Sequence, residues 1–174
     1  MVGRSNVGKS SLINALLGRA LARTSGTPGK TRLLNVYRVQ RPLGRPFYLV
    51  DLPGYGYARG ATSGRAFESL VHGYFFGNGA GFRESIAGVL LLVDARHPEL
   101  ASDQAAAGWL LQHDAPVIVA GTKVDTLTRK ARRASEEALR ERFHAPVVPV
   151  SAHTGEGLDA LWKRVAAWLN PPPR

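Results

Sequence analysis

The first ten residues constrain the fold of this 174-residue chain more than any other stretch. Residues 3–10 read GRSNVGKS, which fits the pattern G-x-x-x-x-G-K-[ST]. In this pattern backbone N–H groups cradle phosphate oxygens, the lysine reaches the β- and γ-phosphates, and the final hydroxyl lies on Mg²⁺. Residues 11–17 then read as a helix, whose N-terminal dipole favours a bound anion. The candidate phosphate-binding residues are Gly3, Arg4, Ser5, Asn6, Val7, Gly8, Lys9, Ser10 and Ser11.

Apolar runs alternate with amphipathic helical patterns in the rest of the chain. The patterns predict strands at residues 33–39, 47–50, 86–93, 116–120 and 147–150. They predict helices at residues 67–74, from a Ser102 cap to about residue 113, from a Thr128 cap onwards, and at residues 158–169. There is no internal repeat and no linker. We therefore expect one α/β domain, with a mostly parallel sheet covered by helices on both faces.

A second phosphate-related motif follows the predicted strand at residues 47–50. Asp51, Leu52, Pro53 and Gly54 have the form D-x-x-G. The carboxylate of Asp51 would hold Mg²⁺ through water, and the Gly54 N–H would bond the γ-phosphate, so the loop would respond to hydrolysis. Taken alone, an ordinary turn explains such a tetrapeptide better. Its position after a strand and after the glycine-rich motif favours the phosphate interpretation.

Two further segments at strand ends suit a guanine base. Asp125, in the segment Thr122, Lys123, Val124 and Asp125, can accept hydrogen bonds from guanine N1–H and N2–H₂, which adenine cannot offer. The Lys123 stem can lie over the base plane. Ser151 and Ala152 follow the next strand, and the Ala152 N–H could meet guanine O6. Because ligands of such sheets bind beyond the carboxyl ends of the strands, all these segments can converge on one site.

The distribution of charge suggests a polyanionic partner. The net charge is +10, and residues 1–65 hold eleven Lys or Arg but one acidic residue, Asp51, so that stretch carries all of the excess. Phosphate binding accounts for part of this, and nucleic acid is a partner that would account for the rest. The alternative explanation of the excess positive charge is that the source proteome is generally basic or that these residues form a solvated face. The basic run at residues 129–133 is by default a solvated helix face, with RNA contact as its alternative.

Composition excludes several classes of site. The chain has no cysteine, so it holds neither a disulfide framework nor a thiolate metal site. There is no apolar stretch of about 18 residues and no recognisable signal peptide, so we expect a cytoplasmic protein with no membrane association.

With these motifs, the chain resembles the EngB (YihA/YsxC) family of bacterial ribosome-assembly GTPases, within the TrmE-Era-EngA-EngB-septin-like superfamily. The resemblance covers essentially the whole chain. It is carried by GRSNVGKSS at residues 3–11, PGKT at 28–31, DLPGYG at 51–56, DARH at 94–97 and TKVD at 122–125. Thr122 stands where most GTPases have Asn, as it does in this family. The resemblance implies a three-layer, Ras-like P-loop GTPase fold.

The resemblance also implies a function and further site residues. It implies GTP and GDP binding, a Mg²⁺ ion held by Ser10, Thr31 and Asp51, and a role in maturation of the large ribosomal subunit on its rRNA, linked to septation and cell division. Thr31 would be the switch threonine, with Gly29 and Lys30 beside it. Asn6 matches the position that helps to hold a catalytic K⁺ ion in related GTPases. We expect a monomer without DNA sequence specificity.

One departure from the family concerns the first strand, which is central in the family's sheet. Here only Met1 and Val2 precede Gly3. Either the true start lies upstream or the sheet lacks its middle strand; we expect a single domain over residues 1–174 that is N-terminally truncated and lacks that strand. The loss would leave the neighbouring strands without a ladder partner.

The motifs together suggest a slow GTPase switch. Lys9, Thr31, Gly54 and Asn6 are the candidate catalytic residues, but Tyr55 stands where Ras-type proteins place a water-orienting Gln. Intrinsic hydrolysis should therefore be slow and stimulated by a partner. A nucleotide-gated rRNA-binding module with incidental hydrolysis is the main alternative. An ATP-using P-loop enzyme is a second alternative, against which Asp125 argues.

Overall fold

The computed structural model describes residues 1–22, 34–40, 46–55, 71–77 and 83–170. Strands and helices alternate along these residues, as the apolar patterns predicted. The strands are β1 (Val2–Gly3), β2 (Asn35–Val39), β3 (Phe47–Asp51), β4 (Val89–Asp94), β5 (Val117–Thr122) and β6 (Val147–Pro149). The helices are α1 (Lys9–Leu17), α2 (described over residues 71–76), α3 (Ala101–Gln112), α4 (Arg129–Arg142) and α5 (Leu158–Leu169), with a 3₁₀ turn at Val124–Thr126.

Four strands form a parallel sheet in the order β1–β4–β5–β6. The pairing of β4 with β5 extends over six residues, from Val89 opposite Val117 to Asp94 opposite Thr122. Both strands are buried along their whole length. Long apolar strands that are buried on both faces are typical of a parallel sheet with helices on each side.

The first strand is present, and the expectation that it is missing is wrong. Val2 and Gly3 pair in parallel with Leu91 and Leu92 of β4. On the other side of β1, the Leu52 N–H donates to the Met1 carbonyl at 3.1 Å. These two residues lie at the carboxyl end of the strand position, where the glycine-rich motif begins. The neighbouring strands therefore keep ladder partners at the edge that carries the predicted site.

Two hydrophobic cores cover the two faces of the sheet. On one face Leu91 and Val93 pack with residues of α2, α3 and α4, including Phe75, Leu110 and Leu139. On the other face the alternate residues Leu90 and Leu92 pack with Leu12 and Leu16 of α1 and with Leu161 and Val165 of α5. This alternation along one strand produces the predicted three-layer α/β fold.

The β2 and β3 strands form a separate two-stranded antiparallel sheet beside β1. Its pairing runs from Asn35 opposite Asp51 to Val39 opposite Phe47. The two strands predicted at residues 33–39 and 47–50 therefore pair as a hairpin, and residues 41–45 between them lie outside the described residues. Leu49 on its inner face is buried against Ile13 of α1, whereas Val36 and Tyr48 on its outer face are exposed.

Two predicted helix caps have different outcomes. Thr128 caps α4, since its Oγ1 accepts from the Ala131 N–H at 3.3 Å. The Ser102 cap is wrong, because α3 begins at Ala101 and Leu100, in extended conformation, is its N-cap. The Leu100 carbonyl accepts the first helical bonds, so the helix starts without a side-chain cap. Among the described residues, none of the helices combines the length and apolarity needed to cross a bilayer.

Candidate nucleotide-binding site

Residues 3–8, here called the phosphate loop, connect β1 to α1 through two left-handed residues. Asn6 has φ 63° and Gly8 has φ 102°. Gly8 is the N-cap of α1, and its carbonyl accepts from the Leu12 N–H at 2.9 Å. Such conformations turn successive N–H groups inward, and the first amides of α1 continue the set. The predicted strand–loop–helix context of the motif is therefore present.

Lys9 and Asp51 bring opposite charges together beneath this loop. Lys9 is 8% exposed, and its ammonium group donates to the Gly3 carbonyl at 3.4 Å. Burial lowers the pKa of Lys9, while the charge of Asp51 acts in the opposite direction. Asp51 is 1% exposed. Burial raises the pKa of Asp51, against the effects of Lys9 and of a hydrogen bond from Asn35, its cross-strand neighbour.

One carboxylate oxygen of Asp51 is unsatisfied. Its Oδ1 is buried and has no hydrogen-bond partner within the part of the chain that the structure describes. A buried carboxylate oxygen in this state is costly, which makes it a group that a ligand or cation can satisfy. Ser10, another predicted metal ligand, lies partly buried in the first turn of α1. Thr31, the third predicted metal ligand, lies outside the described residues, as do the predicted nucleotide-binding residues Gly29 and Lys30.

The D-x-x-G segment lies directly against the phosphate loop. A Cβ at Gly54 would come within 2.8 Å of the Ser5 nitrogen and 2.9 Å of its Cα, so this position requires glycine. Tyr55 forms a parallel bridge with Arg4, and its carbonyl accepts from the Ser5 N–H at 3.1 Å. Leu52 and Pro53, between Asp51 and Gly54, are buried. Two predicted phosphate-contacting segments therefore meet at their backbones.

The 122–125 segment is anchored to the same loop from the other side. The Thr122 hydroxyl lies 2.8 Å from the Val7 carbonyl and 3.2 Å from the Val93 carbonyl. The Lys123 ammonium group donates to the Asn6 carbonyl at 2.7 Å. The contacts with Val7 and Asn6 join residues 115 and 117 positions apart in the chain, and they place the predicted base-binding residues beside the predicted phosphate-binding residues.

Asp94 is a site residue to which sequence reasoning assigned no role. Its carboxylate accepts from Lys123 Nζ at 2.9 Å and from Arg96 Nε and Nη2 at 2.9 and 2.7 Å. Burial alone would raise the pKa of Asp94, but the hydrogen bonds from Arg96 and Lys123 outweigh it and hold that pKa well below its usual range. Asp94 thus fixes the ammonium group of Lys123. Its position at the end of β4 was the available sequence signal.

A cavity of about 150 Å³ lies between the start of α1, the 122–126 segment and residues 150–153. It is lined by Gly8, Ser11, Leu12, Thr122, Lys123, Asp125, Thr126, Val150, Ala152 and His153. The side chain of Asp125 is exposed to it, whereas Val124 is buried beneath. Ser151 is buried, and its Oγ accepts the N–H groups of His153 and Thr154 at 3.2 and 3.1 Å. Ser151 therefore shapes the loop that carries Ala152 to the cavity.

A further carboxylate, Asp103 of α3, was missed by sequence reasoning. It is fully buried and accepts from the Tyr55 hydroxyl at 2.7 Å and from Arg4 Nε at 3.1 and 3.0 Å. Asp103 therefore links the phosphate loop to the residue that follows Gly54. No pattern in the sequence marks it, because its partners are 48 and 99 residues away.

Comparison with protein families agrees with this arrangement. Residues 1–123 match the family model described as 50S ribosome-binding GTPase. A phosphate loop that packs against both a D-x-x-G segment and a T-K-x-D segment, on a three-layer α/β fold, defines a P-loop GTPase. The protein is thus of a class that binds and hydrolyses GTP.

Curated relatives identify the family of GTPases to which the chain belongs. A probable GTP-binding protein EngB of Pelotomaculum thermopropionicum is 41% identical over 175 residues, covering 97% of this chain and 84% of the relative. One of Chlorobium luteolum is 45% identical over 166 residues, covering 91% of this chain and 74% of the relative. The chain belongs to the EngB family of GTP-binding proteins, which confirms the resemblance seen in its motifs.

Solved structures show the same fold. Era in complex with MgGDPNP and nucleotides 1506–1542 of 16S ribosomal RNA superposes with a TM-score of 0.80 at 25% identity, over 99% of this chain. This chain spans 56% of the length of that Era chain. A probable GTP-binding protein engB superposes with a TM-score of 0.70 at 23% identity, covering 97% of this chain and 96% of the other.

Proposed function

We propose that this GTPase is a cytoplasmic, monomeric switch in large ribosomal subunit assembly that binds rRNA in its GTP-bound state and is linked to septation. We infer that residues 1–174 belong to one GTPase domain. The observation that carries the proposal is the packing of the D-x-x-G segment and the 122–125 segment against the same phosphate loop, with Asp125 and Ala152 lining one cavity beside it. The description of the matching family, 50S ribosome-binding GTPase, supports the choice of partner.

The residues divide into a phosphate side and a base side. Lys9 and the phosphate-loop amides bind the phosphates, the Gly54 N–H meets the γ-phosphate, and Asp125 and the Ala152 N–H recognise the guanine edges. The Lys123 stem, held by Asp94 and by the Asn6 carbonyl, covers the base.

Mg²⁺ fits the polar groups beside Lys9. Asp51 would hold it through water and Ser10 and Thr31 through their hydroxyls; the unsatisfied, buried Oδ1 of Asp51 supports this assignment. When bound, Mg²⁺ supplies positive charge beside the β- and γ-phosphate oxygens. Lys9, whose ammonium group is already directed into the loop, stabilises the negative charge on the same phosphate oxygens.

Slow hydrolysis follows from the position of Tyr55. Its hydroxyl is bonded to Asp103 at 2.7 Å, on α3. A side chain held in this way does not orient an attacking water, so we expect low intrinsic turnover and stimulation by a partner. The same contact also favours the second candidate function, a nucleotide-gated rRNA-binding module in which hydrolysis is incidental.

Co-sedimentation with large ribosomal subunits tests the switch. The protein is loaded with a non-hydrolysable GTP analogue, loaded with GDP, or stripped of nucleotide, and the bound fraction is measured for each state. We expect strong binding with the analogue and weak binding in the other two states. Equal binding in all three states would contradict a nucleotide switch. Release that follows single-turnover hydrolysis would distinguish the GTPase switch from the gated binding module.

The basic residues of the first part of the chain are expected to contact rRNA phosphates. These are Arg23, Arg32, Arg38, Arg41, Arg45, Arg59 and Arg65, of which the structure describes Arg38, exposed on β2. Replacing Arg32, Arg59 and Arg65 with Ala should flatten the slope of log affinity against log salt by about 0.7–0.9 for each rRNA phosphate that is no longer neutralised. GDP affinity should stay within about twofold of that of the wild type.

A matched variant controls for the removal of charge in this experiment. Changing Arg140, Lys163 and Arg164 to Ala removes three exposed charges from α4 and α5 and should leave the slope unchanged. If the triple variant at Arg32, Arg59 and Arg65 retains the wild-type slope and affinity, these arginines do not contact rRNA, and the excess positive charge only faces solvent. The basic run at residues 129–133 is then the next surface to test.

Asn6 leads to an expectation about the catalytic ion. Its backbone is left-handed and its side chain is exposed in the phosphate loop. We expect hydrolysis to be severalfold faster in K⁺ than in Na⁺ at equal ionic strength, with subunits present. Asn6→Ala should remove the difference and keep the rate in Na⁺. Equal wild-type rates in the two salts would remove K⁺ from the mechanism.

A further inference from the structure

Asp103 joins two segments that belong to different parts of the nucleotide site. Its Oδ1 accepts from the Tyr55 hydroxyl at 2.7 Å, and both of its oxygens lie within 3.1 Å of Arg4 Nε. Arg4 belongs to the phosphate loop, and Tyr55 directly follows Gly54. We call these three side chains the Asp103 clamp.

The clamp is built from buried, charge-assisted contacts. Asp103 is 0% exposed, and the Arg4 side chain in the ion pair is 23% exposed. Burial raises the pKa of Asp103, while the bonds from Tyr55 and Arg4 act in the opposite direction. A buried carboxylate persists only when donors surround it, so removal of one donor leaves an uncompensated charge. Such contacts hold their members in one geometry more firmly than exposed pairs do.

The clamp restrains the backbone next to Gly54. At one end of Tyr55 the hydroxyl is held by α3, and at the other end the carbonyl accepts from the Ser5 N–H at 3.1 Å. Gly54 lies between these contacts and Asp51, packed on the Ser5 backbone so closely that a Cβ would come within 2.8 Å. The direction of the Gly54 N–H therefore depends on where Tyr55 is held.

We propose that Asp103 is a positioning residue for the γ-phosphate: through Tyr55 and Arg4 it holds Gly54 against the phosphate loop, ready to donate to a third phosphate. The inference rests on the role given to Gly54 in the proposed function. GDP has no γ-phosphate, so the clamp acts on the affinity for GTP and not on that for GDP. It also assigns Tyr55 a structural task in place of the water-orienting task of Gln.

The ratio of GTP-analogue affinity to GDP affinity separates positioning from ordinary structural support. Calorimetric titrations with GDP and with a non-hydrolysable GTP analogue are made on the wild type, Tyr55→Phe and Asp103→Asn. We expect each variant to bind the analogue about fivefold to tenfold more weakly, with GDP affinity within about twofold of wild type. The double variant should show the same loss as Asp103→Asn alone, because both changes break one unit.

Two matched controls use the same chemical changes at exposed positions. Tyr48→Phe removes a hydroxyl from the outer face of the β2–β3 hairpin, where Tyr48 is 63% exposed. Asp114→Asn removes an exposed carboxylate just beyond the other end of α3. Neither should change the ratio. If Asp103→Asn does not fold, Tyr55→Phe still provides the test, since it removes one hydroxyl and leaves the Arg4–Asp103 pair.

Gly54→Ala tests the underlying role of Gly54 separately. If Gly54→Ala lowers the ratio but Tyr55→Phe leaves it unchanged, the positioning role of the clamp is overturned and the proposed function stands. If Gly54→Ala also leaves the ratio unchanged, the γ-phosphate assignment fails and the inference fails with it. An equal loss of GDP and analogue affinity in Tyr55→Phe would show that the clamp only supports the fold, which also overturns the inference.

Discussion

Asp125→Asn is expected to weaken GDP binding by about 30-fold to 700-fold, which corresponds to about 2–4 kcal/mol. The Asp125 carboxylate is exposed at the cavity between the phosphate loop and the 151–152 segment. In that position it can accept from two guanine donors at once, and an amide cannot. The new amide can instead donate to the C2 oxygen of xanthine, so the preference should shift from GDP towards xanthosine diphosphate. Titration of GDP, ADP and xanthosine diphosphate against both proteins measures the change.

The stability of this variant should not change. Asp125 is an exposed residue of the 3₁₀ turn at Val124–Thr126, and substitutions at such positions usually alter stability by less than about 0.5 kcal/mol. Asp159→Asn, the same change at an exposed residue of α5, is the control and should leave all three affinities unaltered. Equal affinity of the wild type for GDP and ADP would disprove guanine recognition by Asp125.

Gly157→Ala is expected to destabilise the protein by about 3–5 kcal/mol, through strain and a backbone clash together. Gly157 has φ 75° and is the N-cap of α5. A Cβ at this position would lie 2.0 Å from the Pro149 carbonyl oxygen at the end of β6, so the two backbones would have to separate. The Ser151 N–H, which donates to the Glu156 carbonyl at 2.9 Å, would move with them. Urea unfolding measures the stability, and GDP titration measures the effect on the Ala152 loop.

Gly155→Ala is the matched control two residues earlier. Gly155 also has a left-handed backbone, with φ 81°, but a Cβ there would meet no heavy atom within 4 Å. Its cost should therefore be the conformational strain alone, about 1–2 kcal/mol. Equal destabilisation by the two substitutions would show that the clash between the added Cβ and Pro149 does not lower stability.

The local motifs were predictable because their chemistry is contained in a few consecutive residues. The phosphate loop needs Gly8 for its left-handed turn and Lys9 immediately after it, and both requirements are visible within residues 3–10. The alternation of apolar strands with amphipathic helices was equally visible, because strand and helix periods differ. Family resemblance then supplied what spacing could not, including the role implied for Thr31.

The first strand shows where reasoning from the sequence went wrong. Two residues before the glycine-rich motif looked too few for a central strand. Val2 and Gly3 nevertheless occupy the position, paired with Leu91 and Leu92 at the edge where the phosphate loop begins. A pairing this short leaves no alternation in the sequence from which a strand could be predicted.

By itself, the sequence determined the fold class and predicted the residues that we expect to bind phosphate, magnesium and guanine. Only the tertiary structure decided which carboxylates hold those residues in place. Asp94 reaches Lys123 across 29 residues, and Asp103 reaches Arg4 across 99. The two glycines at positions 155 and 157 look alike in the sequence and differ only in what surrounds them. These contacts depend on which strands are neighbours and which helix crosses their ends, and strand order is a property of the packed chain that no local pattern records.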